Sequence, residues 1–140
     1  MLYDFIKSRL PKGYTIDLGN VGQKYDENGV PNHQVFNQFI RSDHEGDIGI
    51  FEVYNTLQKK YNNISSYISE VHIEVIVPNG HLETVKKYLK QLYINIRTNK
   101  VSDDLIVEKV QYISMEPMSQ NESGKQWVVL NLLINYKVQE

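Results

Sequence analysis

The spacing of apolar and polar positions changes several times along the chain, and each change marks an element. Leu2, Phe5, Ile6 and Leu10 recur at near-helical spacing, with Lys7 and Arg9 placed late, where cations suit the helix dipole. The spacing predicts a short amphipathic helix over residues 1–10, stopped by Pro11 and Gly13. Tyr14 to Leu18 alternates weakly, as a strand would. Residues 19–33 are punctuated by Gly19, Gly22, Asp26-Glu27-Asn28-Gly29 and Pro31 and read as an irregular loop. The Asn28-Gly29 pair is a hairpin signal, but its flanks alternate poorly. Val35, Phe36, Phe39 and Ile40 fit either a helical turn or a short strand, and Ser42 to Asp47 is turn material.

The alternation then becomes clearer. Ile48, Ile50, Glu52 and Tyr54 fall on one side of a strand, opposite Gly49, Phe51 and Val53. Thr56 to Asn63 is polar and reads as a connector. A longer strand spans Tyr67 to Val77, with Tyr67, Val71, Ile73, Val75 and Val77 on one face, interrupted by Ser69. His72, Glu74 and Ile76 take its other face, and Pro78-Asn79-Gly80 ends it. From His81 to Arg97 the period is helical, with a stripe of Leu82, Val85, Leu89, Leu92, Tyr93 and Ile96. Ile106 to Ile113 predicts a strand, with Ile106, Glu108, Val110 and Tyr112 opposite Val107, Lys109, Gln111 and Ile113. Residues 114–125 read as a polar loop. Gln126 to Val138 closes the chain as a strand with Val128, Leu130, Leu132, Ile134, Tyr136 and Val138 on one face. The order α, β, loop, β, β, α, β, β predicts an α+β fold. Its sheet is mixed and mainly antiparallel, with the N-terminal helix and one long amphipathic helix packed on one face. Residues 1–140 are expected to form a single domain.

Composition narrows the function classes. Fifteen basic against 17 acidic residues give a net charge of −2, which offers no electrostatic basis for tight binding to nucleic acid or anionic lipid. The apolar stretches are too short to cross a bilayer, so no membrane partner is expected. No basic stretch leading into a long apolar run opens the chain, so a secretory signal is not expected. Cysteine is absent, which removes disulfides, thiolate zinc sites and a cysteine nucleophile. Alanine is absent too, while Ile, Asn, Lys and Tyr abound, a bias that fits an AT-rich bacterial or phage genome.

Candidate chemistry is sparse. The acidic groups Asp26-Glu27, Asp43 with Glu45 and Asp47, and Asp103-Asp104 lack the spacing of a calcium loop and read as turn-forming acids. His33, His44, His72 and His81 share no metal-binding spacing. No nucleophile elbow, phosphate loop or dinucleotide fingerprint occurs. The sequence therefore assigns no catalytic, cofactor-binding or metal-binding residue, and no cofactor. Lys86 and Lys90, one turn apart, lie on the solvated side of the second helix. Met115 and Met118 add soft apolar groups to the loop at 114–125, and ten tyrosines with one tryptophan supply amphipathic contact area.

The N-terminal helix leads through a polar loop to Asp47-Ile48-Gly49-Ile50-Phe51-Glu52-Val53-Tyr54. The strand at 67–77 and the helix at 82–97 follow, then a strand carrying Tyr112-Ile113-Ser114-Met115-Glu116-Pro117. A polar turn, Asn121-Glu122-Ser123-Gly124-Lys125, feeds the terminal strand from Trp127. This order resembles the tail terminator, or minor capsid, proteins of long-tailed bacteriophages. The resemblance implies a structural virion protein without catalytic residues. It would form a ring, usually of six copies, that caps the tail tube and receives the head connector. Its partners would be further copies of itself, the tail-tube protein and the head-connector or head-completion protein. DNA would meet it only in passing through the ring. Its place would be the neck of the virion, after assembly in the bacterial cytoplasm. Tyr25, Asp26 and Glu27 in the first loop, Met115 and Met118 in the second, and Lys86 and Lys90 on the helix are the candidate contact residues. Another neck protein of the head-closure type, or a small non-catalytic ligand-binding or regulatory domain, would use the same elements. An enzyme built on scattered His and Asp residues has least support.

Overall fold

The computed structural model describes residues 2–11, 35–37, 46–77, 80–119 and 126–139. In chain order the elements are α1 (Leu2–Ser8), β1 (Val35–Phe36), β2 (Ile48–Tyr61), β3 (Ile64–Ile76), α2 (Leu82–Thr98), β4 (Leu105–Ser119) and β5 (Gln126–Gln139). The strand expected at 14–18 and the loop at 19–33 lie outside the described residues. Val35 and Phe36, left open between helix and strand, form β1.

The five strands make one sheet in the order β1-β2-β3-β5-β4. β1 runs parallel to β2, and every other neighbouring pair is antiparallel. The expected α+β class, with a mixed and mainly antiparallel sheet, is therefore the observed one. α1 is only 7 residues long, too short to persist alone. It is held by burial of Leu2, Phe5 and Ile6 in the common core. α2 has the dipole-compatible charges Glu83 in its first turn and Arg97 in its last. It buries Val85, Leu89, Leu92 and Ile96 as expected, together with Tyr88, which widens the stripe. The last strand pattern holds completely: Val128, Leu130, Leu132, Ile134, Tyr136 and Val138 are all buried. With Val71, Ile73 and Val75 of β3 they form the floor on which both helices rest.

Two stretches read as loops are strand. Thr56 to Tyr61 continues β2, which joins β3 through Asn62-Asn63 to make a long hairpin. Asn62 takes the left-handed backbone (φ 51°) that Asn tolerates better than most residues. The polar composition misleads because both faces of this half of β2 are exposed, so no apolar face imposes alternation. Residues 114–119, including Met115 and Met118, continue β4 rather than forming a loop. Pro117 is compatible with that position because β4 is an edge strand, where a missing N–H need not break a ladder.

Both outer long strands are bulged, and this reverses some predicted faces. Val53 and Gln58 of β2, and Glu108 and Ile113 of β4, are the extra residues at register shifts. Tyr54 therefore leaves the face of Ile48, Ile50 and Glu52 and pairs with Glu70, on the sheet face away from the helices. On β4, Val107 shares the helix-side face with Val110 and Tyr112, not with Lys109 and Gln111. The bulges sit at matching heights: Val53 and Ile113 flank the Val71–Leu132 row, and Gln58 and Glu108 flank the Tyr67–Tyr136 row.

Candidate assembly interface

Local chemistry fixes the shape of the β2 edge. A bulge disrupts the ladder, and the Tyr54 carbonyl beside Val53 finds a side-chain donor instead. The Ser69 hydroxyl oxygen lies 2.8 Å from that carbonyl oxygen and 2.8 Å from Glu52 Oε2, so its single proton is shared between two acceptors. Ser69 is fully buried, and its place in an otherwise apolar stripe is explained by this clamp. One step further out, Asn55 Nδ2 donates to the Tyr136 hydroxyl at 2.8 Å, and Tyr136 stacks on Tyr67 with ring centroids 5.4 Å apart. Burial, reinforced by the nearby Glu52 charge, pushes the Tyr136 hydroxyl up to about 12, against a lowering effect from Asn55. Burial alone raises Tyr88.

Exposed apolar groups are distributed unevenly over this frame. Among the described residues, ten large apolar side chains are exposed. Four stand on β2 (Val53, Tyr54, Leu57 and Tyr61) and four on β4 (Ile106, Tyr112, Ile113 and Met118). Ile64, at the hairpin turn, and Val101, before β4, complete the set, and none is on β5. The two edge-forming strands thus carry eight of the ten. Among the described residues, no strand pairs with β2 beyond Gly49, and the far side of β4 is bridged only at its start, where Val101 pairs with Ile106 and the Val107 N–H donates to the Lys100 carbonyl at 2.8 Å. Three antiparallel steps separate β2 from β4, so these open edges run in opposite directions.

The contact residues chosen from the sequence fall at several places. Tyr25, Asp26 and Glu27 lie outside the described residues. Met118 is exposed on β4 opposite Trp127 of β5, whereas Met115 is half-buried against the core. Lys90 is exposed on α2, and Lys86 is half-buried with Nζ 3.6 Å from Glu83. The fold brings the two methionines onto one edge strand but leaves both lysines on the helix. Sequence reasoning missed the apolar groups of the β2 half-strand. The signal available was the pair Asn62-Asn63 between two runs containing Tyr, Thr and Ile.

Other polar groups have local roles. Arg9 Nε donates to the Asn99 carbonyl and its Nη2 to the Val101 carbonyl, each at 2.8 Å, tying the end of α1 to the end of α2. Its guanidinium also lies 4.2 Å from the centre of the Phe5 ring. Beside it, Ser8, Leu10, Asn95, Thr98 and Asn99 help to line an open cavity of about 400 Å³. His81 takes the N-cap position of α2 but makes no side-chain cap bond. His72 Nε2 is 3.7 Å from Glu70 on the helix-free face of the sheet. Among the described residues no three potential metal-ligating side chains come together. No described helix is long and apolar enough to cross a membrane.

What fold and strands define together is an α+β protein whose outer long strands, β2 and β4, run in opposite directions and carry most of the exposed apolar groups among the described residues. No family model matches the chain, and no curated protein resembles it significantly.

Proposed function

We propose that this chain is a structural subunit of a phage tail, assembling into a ring that caps the tail tube and meets the head connector. The observation that carries the reading is the concentration of exposed apolar side chains on β2 and β4. Soluble proteins usually protect sheet edges with short strands, charges or covering segments, because an open edge invites another strand. Here β4 has 15 residues and β2 has 14, and each exposes four large apolar groups. Edges on opposite sides of one subunit suit a heterologous contact, which closes into a ring when the rotation per copy is right. The tail-tube and connector partners, the six copies and the neck location rest on the resemblance in element order.

The competing reading is a small ligand-binding domain, for which the cavity beside Arg9 is the relevant feature. Its polar groups already serve one another: besides the Arg9 bonds, Asn95 Nδ2 donates to the Arg9 carbonyl at 3.0 Å, and Asn95 Oδ1 accepts from Gln91 Nε2 at 2.8 Å. That engagement favours a helix-end tie over a site awaiting a ligand.

Electron microscopy of the full chain at high concentration, alone and with tail tubes of a phage that encodes it, tests the proposal. Rings, free or at one end of the tubes, are expected. A chain that forms no ring and leaves the tube ends bare overturns it.

A further inference from the structure

The near-neutral charge of the chain hides a segregation between the helices and the rest. Residues 2–11 and 80–102, the two helices with their ends, hold seven of the 15 basic residues and two of the 17 acidic ones. Those segments are therefore net +5, and the remainder of the chain is net −7. Between Glu83 and Asp103 no acidic residue occurs, while Lys86, Lys87, Lys90, Arg97 and Lys100 follow one another.

Helix geometry gathers these cations. Val85, Tyr88, Leu89, Leu92 and Ile96 are buried, which turns the opposite side of α2 outward. Lys86, Lys87, Lys90 and Arg97 fall within about a third of the helix circumference and span about 16 Å of its axis. Lys87, Lys90, Arg97 and Lys100 are exposed, and Lys86 leans toward Glu83. Like charges one turn apart, as Lys86 and Lys90 are, oppose helix formation, and an ordinary solvated face mixes both signs.

The chemistry of this face selects its kind of partner. Protein interfaces are poor in Lys and rich in aromatic groups at their centres. Here lysine dominates, Tyr88 is buried, and Tyr93 packs against Tyr112 with ring centroids 5.6 Å apart. With its rings so engaged, α2 presents no platform for stacking single-stranded bases. A membrane-surface helix needs an apolar side to insert, and the apolar side of α2 is committed to the core. Point charges in a row suit the one remaining polyanion, a duplex backbone, whose phosphates are contacted chiefly by Lys and Arg.

We infer that the outer face of α2, through Lys87, Lys90, Arg97 and Lys100, binds the phosphate backbone of duplex nucleic acid without reading its sequence. The negative remainder of the chain confines the contact to this face and keeps it weak. The inference does not depend on the ring reading.

The test is the salt dependence with which the full chain binds a short fluorescent DNA duplex, followed by anisotropy. Four phosphate contacts give a slope of log K against log salt of about −3.6, an affinity loss of about 150-fold between about 50 and 200 mM. Lys87→Gln with Lys90→Gln removes two contacts and should bring the slope to about −1.8. Lys87→Arg with Lys90→Arg keeps both charges and should keep the natural slope. Lys59→Gln with Lys109→Gln makes the same change in net charge at exposed sheet positions and should also leave the slope as it was. Melting curves check that each variant is folded. Absence of binding at the lowest salt, or equal losses in the two glutamine variants, overturns the inference. Tighter binding of polyglutamate than of the duplex at the same salt assigns the face to an acidic protein and overturns it too.

Discussion

Ser69 Oγ stands 2.8 Å from the Tyr54 carbonyl oxygen, across the bulge at Val53. This one contact joins three levels of the molecule. A serine interrupts an apolar stripe, its hydroxyl satisfies a carbonyl beside a bulge, and the bulge turns Tyr54 onto the helix-free face.

Removing that hydroxyl should therefore weaken the fold at its edge. Ser69→Ala leaves the Tyr54 carbonyl without this donor and should cost about 1–3 kcal/mol, the range for an abandoned buried polar partner. Chemical denaturation measures it. A midpoint equal to that of the natural protein would show that the bulge holds without the hydroxyl.

Tyr136 makes alkaline stability a readout of the same region. Its hydroxyl is held at about 12 in the folded chain against an ordinary value of 10.0, so the folded state keeps the proton longer than the unfolded state. Stability is then unaffected below about pH 10 and falls as pH rises from there through about 12. Melting curves over that window should show a shallower decline for Tyr136→Phe than for the natural chain. Tyr88, raised by burial, leaves a residual slope in the variant.

Arg9 offers a test of how the helices are tied. Arg9→Lys keeps the charge but loses the fork that reaches both Asn99 and Val101, so it should recover little of the loss caused by Arg9→Ala. That loss should be on the order of 1 kcal/mol for hydrogen bonds near solvent. If Lys restores full stability, charge at the helix ends matters and the fork does not.

On α2, burial separates two kinds of position. Leu92 is fully buried, and Leu92→Ala should cost about 2–5 kcal/mol by opening a cavity in the core. Lys90 is exposed, and Lys90→Glu should stay within about 0.5 kcal/mol of the natural chain. Lys86→Glu loses the partner 3.6 Å away at Glu83, an i,i+3 pair worth about 0.2–0.5 kcal/mol, and should also fold. Far-ultraviolet dichroism and thermal melting distinguish these outcomes; loss of folding in either lysine variant would misplace that helix face.

The elements with a continuous apolar face were legible from the residues alone. α2, β5 and most of β3 are buried along one side, so selection of apolar side chains leaves the period written in the chain. Tyr88 escaped because a tyrosine beside Leu89 reads as a boundary residue until packing covers it. The second half of β2 and the end of β4 were not legible. Both are exposed on their outer stretches, so their strand state comes from main-chain pairing with β3 and β5, which leaves no side-chain pattern. Of the proposed contact residues, Met118 was chosen by its chemistry, and its exposed place on the strand β4 was not legible.

By itself, then, the chain's order of residues determined the α+β class, the helix that covers the sheet and the strands at its centre, because burying an apolar stripe requires a fixed period. Tertiary structure decided the rest. Which strands end up at the edges, where four bulges fall and which way Tyr54 faces depend on register between segments distant in sequence. Pairing energy belongs to two strands at once, and no single stretch of sequence carries it. That β2 and β4 flank β3 and β5, and so carry most of the exposed apolar groups among the described residues, is a property of that pairing.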